Sequence, residues 1–375
     1  YSIIHKKYLC SYSFYFYYFL HYLYFILSAY YDNYYDIYAI YNEPIYKTTL
    51  PEVTYDDSRL GAILKAPLEN NTIINTIIFQ VESNEHIRRG GELATTKNQL
   101  GALKLSYLNE LELNQLWSIQ SGISYNLLKE LKASDAAVLN PAEDKKALDA
   151  QIKLEYMNQK QLAYVAIAKK SRMPSMVEMF TFFPWERANP GLKSEKTFQY
   201  TTGYQYNFNK RSKIDTTLYY YDINDLIIYR ESTFINRESA INYGAELRFS
   251  SEMKNHTLGV AYAYAHAQDS KKEALELIPN HQLKIEDKIL LKKEIEIFFS
   301  YQFFSSRYSA NSATYTDEQK KLDHYHLVDT QLSYDFSKYI NARVGIKNLL
   351  DENYEWRYGY PAEGRSYYIS LGWQL

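Results

Sequence analysis

The sequence predicts an all-β fold, a transmembrane antiparallel up-and-down β-barrel, from three observations. Apolar and polar residues alternate with period two over stretches of about ten residues, the length a tilted strand needs to cross a bilayer. Aromatic residues are abundant, with 41 tyrosines, 17 phenylalanines and 4 tryptophans in 375 residues, as interface girdles require. Short and long connections alternate along the chain. The mean hydropathy of -0.46 excludes a bundle of membrane helices, which needs several apolar runs of roughly 20 residues. It does not exclude a barrel, whose strands average a lipid face with a polar one.

Charge and cysteine content bound the chemistry. The 42 Lys and Arg nearly balance the 44 Asp and Glu, for a net charge of -2, so there is no basic footprint for nucleic acid. The single cysteine, Cys10, cannot close an internal disulfide, and the 8 histidines form no Cys/His zinc framework. No resident metal or cofactor is expected.

Residues 1–58 stand apart. The first 50 hold 15 of the tyrosines, and no Asp, Glu, Lys or Arg occurs from Tyr8 to Tyr31. After Lys6 and Lys7 this run has the outline of a signal peptide or a single membrane helix, although a signal core is normally rich in Leu and Ala. Two readings stay open, an export or membrane segment and a stretch foreign to the natural protein. Neither gives these residues a place in the barrel.

From residue 59 to 375 the alternation is regular. Strands are expected at 59–66, 72–83, 100–111, 116–126, 149–157 and 161–170. The next, 197–208, sets Phe198, Tyr200, Tyr204 and Tyr206 against Gln199, Thr201, Gly203 and Gln205. After 213–223 and 243–251, the strand 256–266 sets Leu258, Val260, Tyr262 and Tyr264 against glycine and alanines. After 282–290, the strand 294–304 sets Ile295, Ile297, Phe299, Tyr301 and Phe303 against Glu296, Ser300 and Gln302. Strand 326–335 carries Val328, Leu332 and Tyr334 on its apolar face, and 340–349 follows it. The last, 366–375, puts Tyr367, Ile369, Leu371, Trp373 and Leu375 on one face.

Short connections at 67–71, 158–160, 209–212, 252–255 and 336–339 alternate with long ones at 84–99, 127–148, 171–196, 224–242, 267–281, 305–325 and 350–365. Tight turns at one rim and long loops at the other mark an outer-membrane barrel, with the long loops outside the cell. A soluble sandwich uses shorter strands and does not sort its loops by parity. Single-chain bacterial barrels have an even number of strands, so either one further strand carries no clear alternation or these fifteen are part of a larger barrel.

Two separated motifs resemble those of the TonB-dependent outer-membrane receptors. The closing run contains Asn348, Leu349, Asp351 and Tyr354, then Gly359, Tyr360, Pro361, Gly364 and Arg365, and resembles the family's final signature. The earlier block contains Arg172, Pro174, Ser175 and Glu178, then Asn189, Pro190, Leu192, Lys193, Glu195 and Lys196. Ser171 stands where the family usually has an aromatic residue, and Leu375 where it prefers an aromatic end. The resemblance covers residues 59–375. It implies about 15 strands of a 22-stranded barrel, the globular plug that precedes such a barrel being absent from the sequence. It further implies an outer-membrane location in a Gram-negative bacterium and energy supplied by the TonB, ExbB and ExbD proteins through that plug. The implied task is import of a scarce nutrient such as a ferric siderophore, haem, cobalamin or another metal complex. The missing plug keeps a passive porin-like or non-functional barrel as the alternative.

For both motifs the residue types point to fold maintenance, since prolines and glycines set turns and arginines offer donors to carboxylates or carbonyls. His324 and His326 share one strand face, and parity places them on the lipid side as interface residues rather than metal ligands. His256 and His266 bracket the apolar face of their strand in the same way. Ligand capture falls to the long loops. Trp185 with Glu186 and Arg187, and Trp356 with Arg357 and Tyr358, set aromatic surface beside charge, suited to a chelate with a conjugated body and anionic groups. His86, Arg88 and Arg89 add donors on an early loop. Aromatic and charged loops also serve solubility, so these residues have two readings. No serine stands in a Gly-rich elbow and no Glu/His pair has metal-ligand spacing, so no catalytic residue is expected and the protein is not read as an enzyme.

Overall fold

The computed structural model describes residues 2–20, 23–42, 47–48, 53–69, 72–90, 95–132, 143–180, 187–311 and 316–373. The chain is built from β1 (Ser2–Leu20), β2 (Leu23–Asn42), β3 (Lys47–Thr48), β4 (Val53–Glu69), β5 (Ile73–Gly90), β6 (Thr96–Glu112), β7 (Trp117–Lys132), β8 (Lys145–Met157) and β9 (Gln161–Arg172). A one-turn helix α1 (Met176–Met179) precedes β10 (Glu195–Asn209), β11 (Ser212–Arg230), β12 (Thr233–Glu252), β13 (His256–Asp269), β14 (His281–Lys292) and β15 (Ile295–Phe304). The remainder is β16 (Arg307–Asn311), β17 (Thr316–Leu322), β18 (Tyr325–Asp335), β19 (Ile340–Lys347), β20 (Glu355–Arg357), β21 (Tyr360–Pro361) and β22 (Ser366–Trp373). Each of the fifteen expected strands is present.

The chain divides into two compact units, Tyr1–Lys153 with Ile167–Phe198 and Ile223–Glu238, and Leu154–Ala166 with Gln199–Asp222 and Ser239–Leu375. In the first, successive strands pair antiparallel from β4 to β7, with Leu64 opposite Phe79, Phe79 opposite Leu105 and Leu105 opposite Tyr125. These side chains share one face, and Leu64, Phe79, Leu105 and Tyr125 are all exposed, as a lipid-facing set must be. The opposite face is polar and self-bonded. Ser124 Oγ donates to Ser106 Oγ at 2.9 Å, Gln120 Nε2 to Glu110 Oε1 at 3.1 Å, and Asn126 Nδ2 to Asp149 Oδ2 at 2.9 Å.

The second unit repeats the pattern from β12 through β13, β14, β15, β18 and β19 to β22. Among the residues whose exposure is described, the apolar set of the last strand is the most exposed, with Tyr367 at 69%, Ile369 at 76%, Leu371 at 71% and Trp373 at 77%. The unit's polar face is thinned by glycines, three of them, Gly203, Gly244 and Gly345, covered by a tyrosine of a neighbouring strand. A Cβ on Gly203 would meet the Tyr164 ring at 2.2 Å, one on Gly244 the Tyr219 hydroxyl at 2.6 Å, and one on Gly345 the Tyr368 ring at 2.4 Å. A missing side chain is what lets each ring lie flat on the sheet.

Three expectations change. Residues 1–58, which sequence reasoning leaves without a place in the barrel, contain two long strands, β1 paired with β2 from Ser2 opposite Tyr41 to Leu20 opposite Leu23. β2 pairs in turn with β4, from Ile26 opposite Lys65 to Tyr38 opposite Val53. A run without charge fits a strand as well as a helix, and only pairing decides between them.

The long loop expected at 224–242 is instead strand on both sides of a two-residue turn. Glu231 and Ser232 both have positive φ, 46° and 64°, the geometry of a type I′ hairpin that matches the strand twist. Glu-Ser lacks the Asn-Gly signature, so the turn carries no local mark. The early loop expected at 84–99 is likewise mostly strand, because β5 runs on to Gly90 and β6 starts at Thr96.

Candidate functional site

In the first unit the described residues that follow β9, 173–180 and 187–194, are tied down at several named positions. Ser175 caps α1 in a reciprocal box, its Oγ accepting from Glu178 N–H at 3.3 Å while its own N–H donates to Glu178 Oε2 at 2.7 Å. Arg172, at the end of β9, reaches both motif carboxylates. Its Nε and Nη2 donate to the two oxygens of Glu195 at 2.7 Å each, and its Nη1 to Glu178 at 2.9 Å. Glu195 Oε1 also accepts the backbone N–H of Ile227 at 2.7 Å. Burial by itself raises the Glu178 carboxyl, but the Arg172 and Ser175 hydrogen bonds outweigh it and hold the group below the usual carboxylate range.

Under this polar tie lies the apolar cluster of the unit. Leu192 is 0% exposed and Met179 1%, packed with Phe180, Ile227, Leu100 and Leu128. Asn189 Nδ2 donates to Phe234 O at 2.8 Å and Lys193 N–H to Asn236 Oδ1 at 2.8 Å, which fastens the segment to the β11–β12 hairpin. A cleft of about 490 Å³ remains beside it, with Pro174, Met176 and Val177 on one side and Arg59, Glu82 and Asn84 on the other. Its charges are internally matched, because Arg59 and Asn84 both donate to Glu82.

In the second unit the loop ends meet as two small hairpins, β16–β17 and β20–β21. Arg307 is 5% exposed; its Nη2 donates to Glu355 O, and its guanidinium lies 5.0 Å from the Tyr325 ring centre. Tyr325 stacks on Tyr354 at 4.4 Å, and Tyr354 meets Trp356 edge-on at 5.5 Å. Tyr358 N–H donates to Ser309 Oγ at 3.2 Å, a second tie between the hairpins. Burial pushes the Tyr354 phenol up, and the Asp329 and Glu363 carboxylates add to it.

The closing motif supplies the turns that hold this arrangement. Asn348 and Asp351 take positive φ, 50° and 56°, which Asn and Asp tolerate better than other side chains. Asn348 Oδ1 accepts Glu352 N–H at 2.8 Å and its Nδ2 donates to Glu352 O at 2.9 Å. Its own N–H donates to Asp329 Oδ1 at 2.8 Å. Asp351 Oδ1 accepts Arg365 N–H at 2.9 Å, and Gly359 turns at φ 80°.

Of the loop residues expected to meet a ligand, Trp185 and its neighbour Glu186 lie outside the described residues. Arg187 is used in the fold, its Nη2 donating to Glu231 O at 2.9 Å and its backbone N–H to Ser232 O at 2.8 Å. Trp356 and Arg357 lie on β20 and Tyr358 in the turn after it, and Trp356 is 61% exposed. His86 is not a loop donor, because it lies within β5 and is only 2% exposed; Arg88 and Arg89 belong to the same strand. Sequence reasoning misses Arg307 and Tyr325. Arg307 comes near Tyr325 through the pairing of β15 with β18, and Tyr325 near Tyr354 through that of β18 with β19, so neither proximity has a local signal.

Residues 140–349, more than half of the chain, match the family described as TonB dependent receptor-like, beta-barrel. Over 169 residues the chain is 33% identical to the vitamin B12 transporter BtuB of Vibrio cholerae serotype O1, covering 44% of this chain and 27% of that protein. Its fold matches the copper transporter OprC with a TM-score of 0.78 at 15% identity, over 93% of this chain and 62% of that one. It matches the ferric yersiniabactin uptake receptor FyuA from Yersinia pestis with a TM-score of 0.77 at 12% identity, over 98% and 61%. The chain therefore spans less than two thirds of the length of each of these relatives, and at such identities the solved structures speak for the fold alone. That fold is the transmembrane antiparallel β-barrel which the alternation predicts. With its family motifs forming the ties just described, this chain belongs to the TonB-dependent receptor β-barrel family.

Proposed function

We propose that the protein containing this chain imports a scarce nutrient chelate, a ferric siderophore, haem, cobalamin or another metal complex, across the outer membrane of a Gram-negative bacterium. The observation that carries this reading is the family match over residues 140–349. The sequence relative is a vitamin B12 transporter and the structural relatives include a copper transporter and a ferric yersiniabactin receptor, which supports import of a metal complex and leaves open which one. The role is binding and passage without chemistry on the cargo. Energy comes from TonB, ExbB and ExbD, acting through a plug domain of the kind this family carries.

On this reading the exposed Trp356, with Arg357 and Tyr358 next in sequence, supplies aromatic and cationic groups for a conjugated ligand with anionic groups. Trp185 and Arg187, from the connection after β9, are kept as further candidate ligand contacts. The test is uptake of labelled cobalamin and of labelled iron chelates by the parent strain, by a strain lacking this gene, and by one lacking TonB. Loss of uptake of one compound in both deletions supports the proposal. Unchanged uptake and growth on every such source in the gene deletion rejects it.

A further inference from the structure

We propose that Met173, Met176 and Met179 form a thioether site for a soft monovalent metal ion, Cu(I). The inference deepens the import reading above, on which that ion is cargo. The chain has 5 methionines in 375 residues, and three of them fall within one stretch of seven, at a spacing of three. The other two, Met157 and Met253, stand elsewhere in the sequence and are half exposed. Met176 and Met179 are the first and last residues of α1, three apart and so neighbours on one face of it. Met179 is 1% exposed inside the apolar cluster of Leu100, Leu128 and Leu192, and Met173 and Met176 pack against the same cluster. The Met173 sulfur also has a polar contact, accepting the Ser194 hydroxyl at 2.9 Å.

Leucine fills the volume of methionine closely, so packing alone does not call for sulfur at these three positions. Sulfur brings a distinct chemistry. An uncharged thioether is a poor ligand for hard ions such as Mg(II) or Mn(II) and a good one for Cu(I). The apolar surroundings select in the same direction. The cost of taking an ion out of water grows with the square of its charge, so a divalent ion pays about four times what Cu(I) pays to enter such a cluster. Among the described residues no group of three or more His, Cys, Asp and Glu side chains competes for a metal. The cleft of about 490 Å³ has Met176 in its wall and gives the ion a way in. Both carboxylates of that wall are already paired, Glu82 with Arg59 and Glu85 with Lys97, so the entrance does not favour a hard cation. Three rotatable bonds in each methionine side chain let the sulfurs adjust to an ion while Arg172 and Ser175 hold the backbone.

The test uses the complete protein in a non-ionic detergent, with Cys10→Ser to remove a competing thiol. Ag(I), a d10 ion like Cu(I) that needs no reductant, is titrated by calorimetry, and Cu(I) kept reduced with ascorbate is read by X-ray absorption. The expected result is a single Ag(I) per protein, a first shell of sulfur around Cu(I), and no comparable binding of Zn(II). Ag(I) binding should weaken about tenfold or more in the variant with Met173→Leu, Met176→Leu and Met179→Leu, and should not change with Met157→Leu and Met253→Leu. Because leucine keeps the volume, the folded triple variant separates ligation from packing, and heat-modifiable mobility reports its folding. If it does not fold, Met176→Leu alone is used and should weaken binding several-fold. Equal Ag(I) binding in a folded variant, or no Ag(I) bound by the parent protein, overturns the proposal. Uptake judges the import reading separately. Loss of cobalamin or iron uptake in both deletions without Ag(I) binding keeps that reading and sinks the metal site. Methionine-dependent Ag(I) binding with unchanged copper, cobalamin and iron uptake in the gene deletion keeps the site and sinks the import reading.

Discussion

Arg172 and Glu195 face each other fork to fork, Nε to Oε2 and Nη2 to Oε1, both at 2.7 Å. They stand 23 residues apart, one ending β9 and the other opening β10, and the third nitrogen of the same guanidinium holds Glu178. One planar side chain thus closes the segment 173–194 at both ends. Lysine has the charge but not the fork. Arg172→Lys is expected to loosen this segment by about 1–2 kcal/mol and Arg172→Ala by about 2–3 kcal/mol, since each leaves a half-buried carboxylate short of donors. Hydrogen exchange of residues 173–194 measures both. Exchange equal to wild type in Arg172→Ala would show the tie to be dispensable.

The Glu178 carboxyl is held below its usual range, so its contribution is fully present above the unfolded carboxylate value of about 4.3 and is lost as pH falls through the lower folded value. Protease cleavage within 173–180 should therefore be unchanged from neutral pH down to about 5 and rise below about 4. In Glu178→Gln that acid step should shrink. An acid step of full size in the variant would assign it to another group.

Gly203→Ala and Gly345→Ala place a methyl where the Tyr164 and Tyr368 rings lie. Each should cost about 1–3 kcal/mol through overpacking, read as a lower urea midpoint in micelles. Gly259→Ala is the control, because nothing lies within 4 Å of its added Cβ. Equal midpoints for all three would remove the tyrosine cover as a source of stability.

Replacing Glu231-Ser232 with Asn-Gly should stabilise the β11–β12 hairpin by about 1 kcal/mol, because both positions have left-handed φ that Asn and Gly adopt at lower cost. The contacts Arg187 makes there are to backbone carbonyls of Glu231 and Ser232, which the replacement keeps. A higher thermal midpoint is the expected outcome. A lower one would mean that the side chains, not the backbone, hold the turn.

Trp356→Ala separates ligand binding from stability. With 61% of the indole exposed, stability should change by less than about 0.5 kcal/mol. On the proposed function, uptake should fall at least several-fold at limiting substrate. A fall in stability with normal uptake would assign Trp356 to the Tyr354 stack alone.

The barrel class, the fifteen strands from residue 59 onward and the faces of the most clearly alternating ones, such as 256–266 and 294–304, were legible from the residues alone, because period-two alternation is a local property. The sequence also marked Arg172, Glu178, Glu195 and Asn348 as motif residues, without saying what they touch. Their partners become visible in the folded chain. The fork from Arg172 to Glu195, the bond from Asn348 to Asp329 and the stack of Arg307, Tyr325 and Tyr354 each join segments distant in sequence. The tyrosines of the first fifty residues show the same limit, since a charge-free aromatic run suits a helix or a strand and the choice fell to the hydrogen bonds β2 makes with β4. The Glu231-Ser232 turn was hidden for a related reason: two residues with no turn propensity adopt left-handed φ because the pairing of the strands on either side pays for it.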